Sequence, residues 1–160
     1  MGLVYLGPRA LTDSRLGFET VLHFARNNAS RIIIASRNRE KCEAAAQKVY
    51  AEVPSYRGKV DVMIVDFKSF KSVIEFCDAV KKDEDRLDVV VANAGILTTK
   101  YQTTADGWEE VLQVNDLSTG LMSLLLFPKL VKTGKRAVPS GSPDLKPHLT
   151  IVASEGESCE

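Results

Sequence analysis

An open α/β fold, a parallel sheet with helices on both faces, is predicted from this sequence by three observations. Short apolar runs (Arg31–Ala35, Val60–Val65, Leu87–Ala92) alternate with longer stretches whose apolar residues recur at helical spacing. The run Leu87–Ala92 is dominated by Val, as expected of a strand buried on both faces of a parallel sheet. These runs close on small or polar residues, Ser36-Arg37-Asn38, Asp66 and Asn93-Ala94-Gly95. In open α/β sheets the ligand lies outside the carboxyl ends of the strands, where those residues would stand.

The elements follow in order. Gly2 to Leu6 reads as a first strand and Gly7 to Gly17 as a loop. From Phe18 a helix presents Phe18, Val21, Leu22 and Ala25 on one face and ends at Asn27-Asn28. Arg31–Ala35 is the second strand, followed by a helix with Cys42, Ala45, Ala46 and Val49 inward. After a loop from Pro54 to Lys59 comes the third strand, Val60–Val65. Ser69 can cap a helix facing inward through Phe70, Val73, Ile74, Cys77 and Val80. Leu87–Ala92 is the fourth strand, and Asp106 is read as the cap of a long helix from Trp108 to Leu130. A Gly-, Pro- and Ser-rich linker spans Gly134–Pro147, and Leu149–Ala153 is the fifth strand. Right-handed crossovers and a switch between strands one and four predict the order 3-2-1-4-5.

With 160 residues the chain is expected to form one domain around a single core. Its 21 Lys+Arg balance 21 Asp+Glu, which gives no electrostatic footprint for nucleic acid or an anionic membrane. No secretory signal opens the chain, and the apolar run Leu121–Phe127 is too short to span a bilayer. The three cysteines, Cys42, Cys77 and Cys159, are far apart and lack metal-ligand spacing. No metal site is expected, and reduced thiols point to the cytoplasm.

The chemistry is concentrated at the predicted strand ends. Arg37 lies twenty residues past Gly17, where this architecture places the residue that meets an adenosine ribose. Arg suits a 2′-phosphate, and no acid occurs between Ile32 and Asn38; a solvated Arg in an exposed turn is the plainer alternative. Asn93-Ala94-Gly95 can be read as a ligand-facing turn or simply as the residues that end a strand. Only Gly17 sits at the first helix start, and there is no Gly-x-Gly-x-x-Gly.

Taken together, Leu16-Gly17-Phe18-Glu19-Thr20, Asp66, Asn93-Ala94-Gly95, Gln113-Val114-Asn115 and Ile151-Val152-Ala153-Ser154-Glu155 resemble the short-chain dehydrogenase/reductases. Ser36-Arg37-Asn38 and Asp106-Gly107-Trp108-Glu109 are similar to members from fungal natural-product pathways. The resemblance implies a Rossmann-type doubly wound sheet and an NADP-dependent oxidoreductase that interconverts a carbonyl and an alcohol. It implies that Leu16 and Gly17 border the pyrophosphate, Arg37 meets the 2′-phosphate and Asp66 accepts from the adenine amino group. Asn93, with Ala94 and Gly95, would lie beside the adenine ribose. Asn115 would hold a water in a proton relay, and Ser154 would hydrogen-bond the substrate carbonyl. For Asp66 and Asn115 the residues alone also allow an ordinary strand-end acid and a solvent-facing helix Asn.

Two departures from the family pattern shape the expectation. The family's proton-transfer pair is Tyr-x-x-x-Lys, in which the ammonium lowers the phenol's pKa. Six residues follow Ser154, none of them Tyr or Lys, and none of Tyr5, Tyr50, Tyr56 and Tyr101 has Lys four places on. The chain therefore reads as the first part of a longer enzyme, its sheet incomplete at the C-terminal end and inactive alone. In addition, Leu11 and Arg15 stand at two of the family's glycine positions, filling space a pyrophosphate needs. Other readings are a catalytically dead cofactor-binding or interaction module, and a truncated gene product without a biochemical role. The long helix is the expected surface for pairing with a second copy.

Overall fold

The computed structural model describes residues 2–6, 15–83, 85–136 and 146–153. Five parallel strands, β1 (Gly2–Leu6), β2 (Arg31–Ser36), β3 (Lys59–Ile64), β4 (Val89–Ala92) and β5 (His148–Ile151), form one sheet. Their order is β3-β2-β1-β4-β5, as expected from the sequence. The register is continuous across the centre: Val4 pairs with Ile33 on one side and Val90 on the other. This is the doubly wound Rossmann-type sheet, with the reversal of direction between β1 and β4.

Alternation along the strands sorts two apolar layers. Ile33, Ala35, Val90 and Ala92 pack on one face with α3 (Phe70–Asp83) and α5 (Ser118–Gly134). Ile32, Ile34, Val89 and Val91 pack on the other with α1 (Arg15–Arg26) and α2 (Arg39–Glu52). Full burial of each such side chain is worth about 1.5–3 kcal/mol, so these two layers dominate the stability. Cys42 and Cys77 are free thiols within them; burial pushes both up, Cys77 to about 12, so they are poor nucleophiles.

Caps explain several boundaries. Asn38 accepts from the Lys41 N–H at 2.9 Å to start α2, and Asn28 closes α1 in the left-handed region (φ 54°). Gly58 lets the chain enter β3 against the β2 entrance. A Cβ there would lie 2.2 Å from the Ala29 carbonyl oxygen and 2.4 Å from the Tyr56 hydroxyl.

Several expectations are corrected. The first helix begins at Arg15 rather than Phe18, so Arg15–Gly17 are helical rather than loop. β3 is shifted one residue earlier, β5 spans His148–Ile151 rather than Leu149–Ala153, and β4 begins at Val89. Ile74 is 43% exposed, because the α3 face is centred on Val73, Phe76, Cys77 and Val80, with Phe76 taking the inward place. The long helix runs from Glu110 to Gly134 in three parts: α4 (Glu110–Leu112), a π segment (Gln113–Leu117) and α5. It therefore extends to the first residue of the expected linker; 137–145 lie outside the described residues. Its cap is Glu109, whose carboxylate accepts from the Val111 and Leu112 N–H groups, bonds that hold its carboxyl below the usual range. Asp106 instead accepts from the Phe70 N–H at 2.8 Å and from Gln113 Nε2 at 2.7 Å, tying the α3 start to the π segment.

Candidate functional site

Two hollows open at the carboxyl ends of the strands. The first, shallow, with a volume of about 10 Å³, lies beyond β2 and β3 and is lined by Ser36, Arg37, Asp66, Lys68, Ile96 and Val114 among others. The second, about 530 Å³, lies beyond β4 and β5 between Ala94–Leu97, Asn115, Asp116 and Ile151–Ala153. Ile96 belongs to both and so forms the wall between them.

The first hollow is built by the turns leaving β2 and β3. Arg37 is exposed at its mouth, one residue past β2, with no hydrogen bond or ion pair of its side chain among the described residues. Asp66 is fixed from two sides: its N–H donates to Ser72 Oγ at 2.9 Å, and its Oδ1 accepts from the Lys68 N–H at 3.0 Å. Among the described residues its second carboxylate oxygen has no partner. Lys68 is ion-paired with Glu110 on α4, which links this turn to the long helix.

The second hollow depends on the π segment, a local irregularity common at functional sites. Within it Asn115 holds Ile96 by both ends of its amide. Its Oδ1 accepts from the Ile96 N–H at 2.8 Å and its Nδ2 donates to the Ile96 carbonyl at 2.9 Å. Gln113, fully buried, is held by Asp106 and also accepts from Thr104 Oγ1, so the loop after β4 is bonded to the same segment. A Cβ on Gly95 would sit 3.6 Å from Asn115 Oδ1, an ordinary contact, so the protein itself does not require glycine there. The Val152 N–H donates to the Ala92 carbonyl at 2.8 Å and brings the end of β5 beside the end of β4.

The predicted residues divide into three groups. Arg37 and Asp66 come together in the first hollow, while Ala94, Gly95 and Asn115 meet in the second. Asn93, half-buried, stands at the end of β4, and Gly17 is buried in the first turn of α1. Leu16 lies in that turn too, but Ser154 and the loop 7–14 lie outside the described residues. The sequence reading did not single out Ile96, Lys68, Glu110 or the Asp106–Gln113 pair. Nothing in spacing or composition marks them, since their partners are distant in the chain.

Comparison with known proteins now adds to this geometry. Residues 12–138 match the short chain dehydrogenase family model. The chain belongs to the short-chain dehydrogenase family. It is 33% identical over 154 residues to the short-chain dehydrogenase/reductase phmF of Phaeosphaeria nodorum, covering 96% of this chain and 43% of that protein. It is 37% identical over 128 residues to human retinol dehydrogenase 13, covering 80% of this chain and 37% of that one. The chain thus spans less than half the length of these relatives. Among solved structures, the Escherichia coli oxidoreductase yciK superposes with a TM-score of 0.64 at 25% identity over 82% of this chain and 52% of its own. The alcohol dehydrogenase of Thermococcus sibiricus, complexed with 5-hydroxy-NADP, gives 0.66 at 23% identity over 88% of this chain and 62% of its own. In this short-chain dehydrogenase no helix of the described residues is long and apolar enough to cross a membrane.

Proposed function

We propose that residues 1–160 form one partial dinucleotide-binding domain of an NADP-dependent dehydrogenase/reductase that interconverts a carbonyl and an alcohol on a small molecule. The observation that carries the reading is the first hollow, lined by the Arg37 guanidinium, which has no partner among the described residues, and by the Asp66 side chain. A 2′-phosphate suits Arg37, because charge-assisted bonds to a planar fork are strong. An adenine amino group suits Asp66.

The remaining assignments follow the family pattern. Leu16 and Gly17, at the N-terminus of α1, would border the pyrophosphate. Asn93, Ala94 and Gly95 would flank the ribose and the passage to the second hollow. The nicotinamide, when bound, supplies or accepts hydride. Asn115 acts there by positioning Ile96, since both ends of its amide are engaged. Ser154, one residue beyond Ala153 in the cleft wall, would orient the substrate oxygen. These 160 residues contain no Tyr-x-x-x-Lys pair, so hydride transfer by them alone is not expected. A binding module without turnover is the second reading that this favours.

Buried thiols accord with a cytoplasmic setting, and the likeness to fungal members with secondary metabolism. Leu124, Phe127 and Val131 lie exposed along α5 and favour pairing with a second copy through the long helix. Calorimetry with NADP and NAD tests the cofactor reading. NADP is expected to bind more tightly, and Arg37→Ala to remove a preference of about tenfold or more. Equal or tighter NAD binding by the unaltered chain overturns the assignment.

A further inference from the structure

The second hollow is chemically lopsided. Its walls are aliphatic, from Ile96, Leu97, Ile151 and Val152, and just two polar side chains line it, Asn115 and Asp116. The Asn115 amide is engaged at both ends by Ile96, which leaves one Nδ2 N–H, a neutral donor that an ammonium cannot use. That leaves the Asp116 carboxylate, which has no hydrogen bond or ion pair among the described residues. Among the described residues no Lys, Arg or His lines the hollow, so none of them sets a counter-charge to this carboxylate in its walls.

We propose that this cleft selects a substrate with an apolar body and a protonated amine, the ammonium group seated on Asp116. This rests on the reading of the second hollow as the substrate end of the site. Ligand sites with mostly apolar walls take their orientation from the few polar groups that converge on the ligand, and here that group is one anion. An ammonium donates charge-assisted bonds to a carboxylate, stronger than those of a neutral hydroxyl. A carboxylate at the same point of the ligand would be repelled. The volume of about 530 Å³ has room for a body of drug-like size beside the charged end.

The test uses the full 160-residue chain and three probes of equal size, phenylbutylamine, phenylbutanol and phenylbutyrate, followed by heteronuclear NMR at low ionic strength. The expected result is shifts of the Gly95, Leu97 and Val152 amides, with the amine bound about threefold to tenfold more tightly than the alcohol and the acid weakest. Asp116→Asn, a surface substitution of equal size, should bring the amine to the level of the alcohol. If shifts map to the cleft but the amine has no advantage, or keeps it in Asp116→Asn, the selection is overturned and the cleft reading stands. If none of the three probes shifts the cleft amides, both the selection and the substrate-end reading fall.

Discussion

Asn115→Asp isolates the clamp between the long helix and the strand-four loop. The substitution keeps the size of the side chain and the acceptor for the Ile96 N–H, but replaces Nδ2 by a second acceptor. The bond it abolishes is the 2.9 Å donation to the Ile96 carbonyl, in a half-buried setting where two oxygens then face each other. A hydrogen bond of this kind contributes about 1 kcal/mol net, and an acceptor left unsatisfied adds a desolvation cost of about 1–3 kcal/mol. Partial exposure moderates the second figure, so a loss of about 1.5–3 kcal/mol is expected, a fall in Tm of very roughly 3–10 °C at this chain length. The introduced carboxyl titrates higher in the folded state than in the unfolded one, because protonation restores a donor. Its penalty is therefore complete above the folded pKa and relieved as pH falls toward the unfolded value of about 3.9. Urea unfolding at pH 7 and near pH 4, with hydrogen exchange at the Ile96 amide, measures both effects. A variant within about 0.5 kcal/mol of the parent at pH 7, or a deficit that grows in acid, refutes the clamp.

Three further outcomes are expected. Gly58→Ala should lower stability by about 2 kcal/mol or more, since the Cβ would meet the Ala29 carbonyl oxygen at 2.2 Å and backbone must move; an unchanged denaturation midpoint would show that the turn is looser than described. Burial raises the Asp61 carboxyl, but hydrogen bonds from Lys59 and Arg31 at 2.7 Å outweigh it and leave the group below its usual value. Its contribution is present above the unfolded pKa of about 3.9 and is lost as pH falls through the folded one, so Asp61→Asn should flatten the acid limb of the stability profile; a parallel profile in the variant counts against it. Phe127→Glu on α5 should shift sedimentation toward the monomer if the long helix pairs copies, and unchanged sedimentation of a dimer would place the contact elsewhere.

Much of the fold was legible in the chain because it depends on local periodicity. The Ile and Val runs named their strands and Asn27-Asn28 the end of α1, each through the chemistry of neighbouring residues. Handedness rules then left the order β3-β2-β1-β4-β5 among few topologies. The first departures came where an element's end depends on a distant partner. Asp106 has the composition of a cap for the helix that follows it. Its bonds run to Phe70, thirty-six residues earlier, and to Gln113.

The candidate site divides in the same way. That Arg37, Asp66 and Asn93-Ala94-Gly95 stand at strand ends was determined by the sequence, since a buried run must stop somewhere and the next residue is then at the rim of the sheet. Only tertiary structure decided that Ile96 separates two hollows and that Asn115, nineteen residues away, holds it by both N–H and carbonyl. It likewise decided that Lys68 is joined to Glu110 across the rim and that Asp116 faces an aliphatic cleft. The physical reason is range. Strand and helix patterns arise from sterics and burial among residues a few positions apart, whereas a hydrogen bond between elements depends on how the sheet brings their ends together.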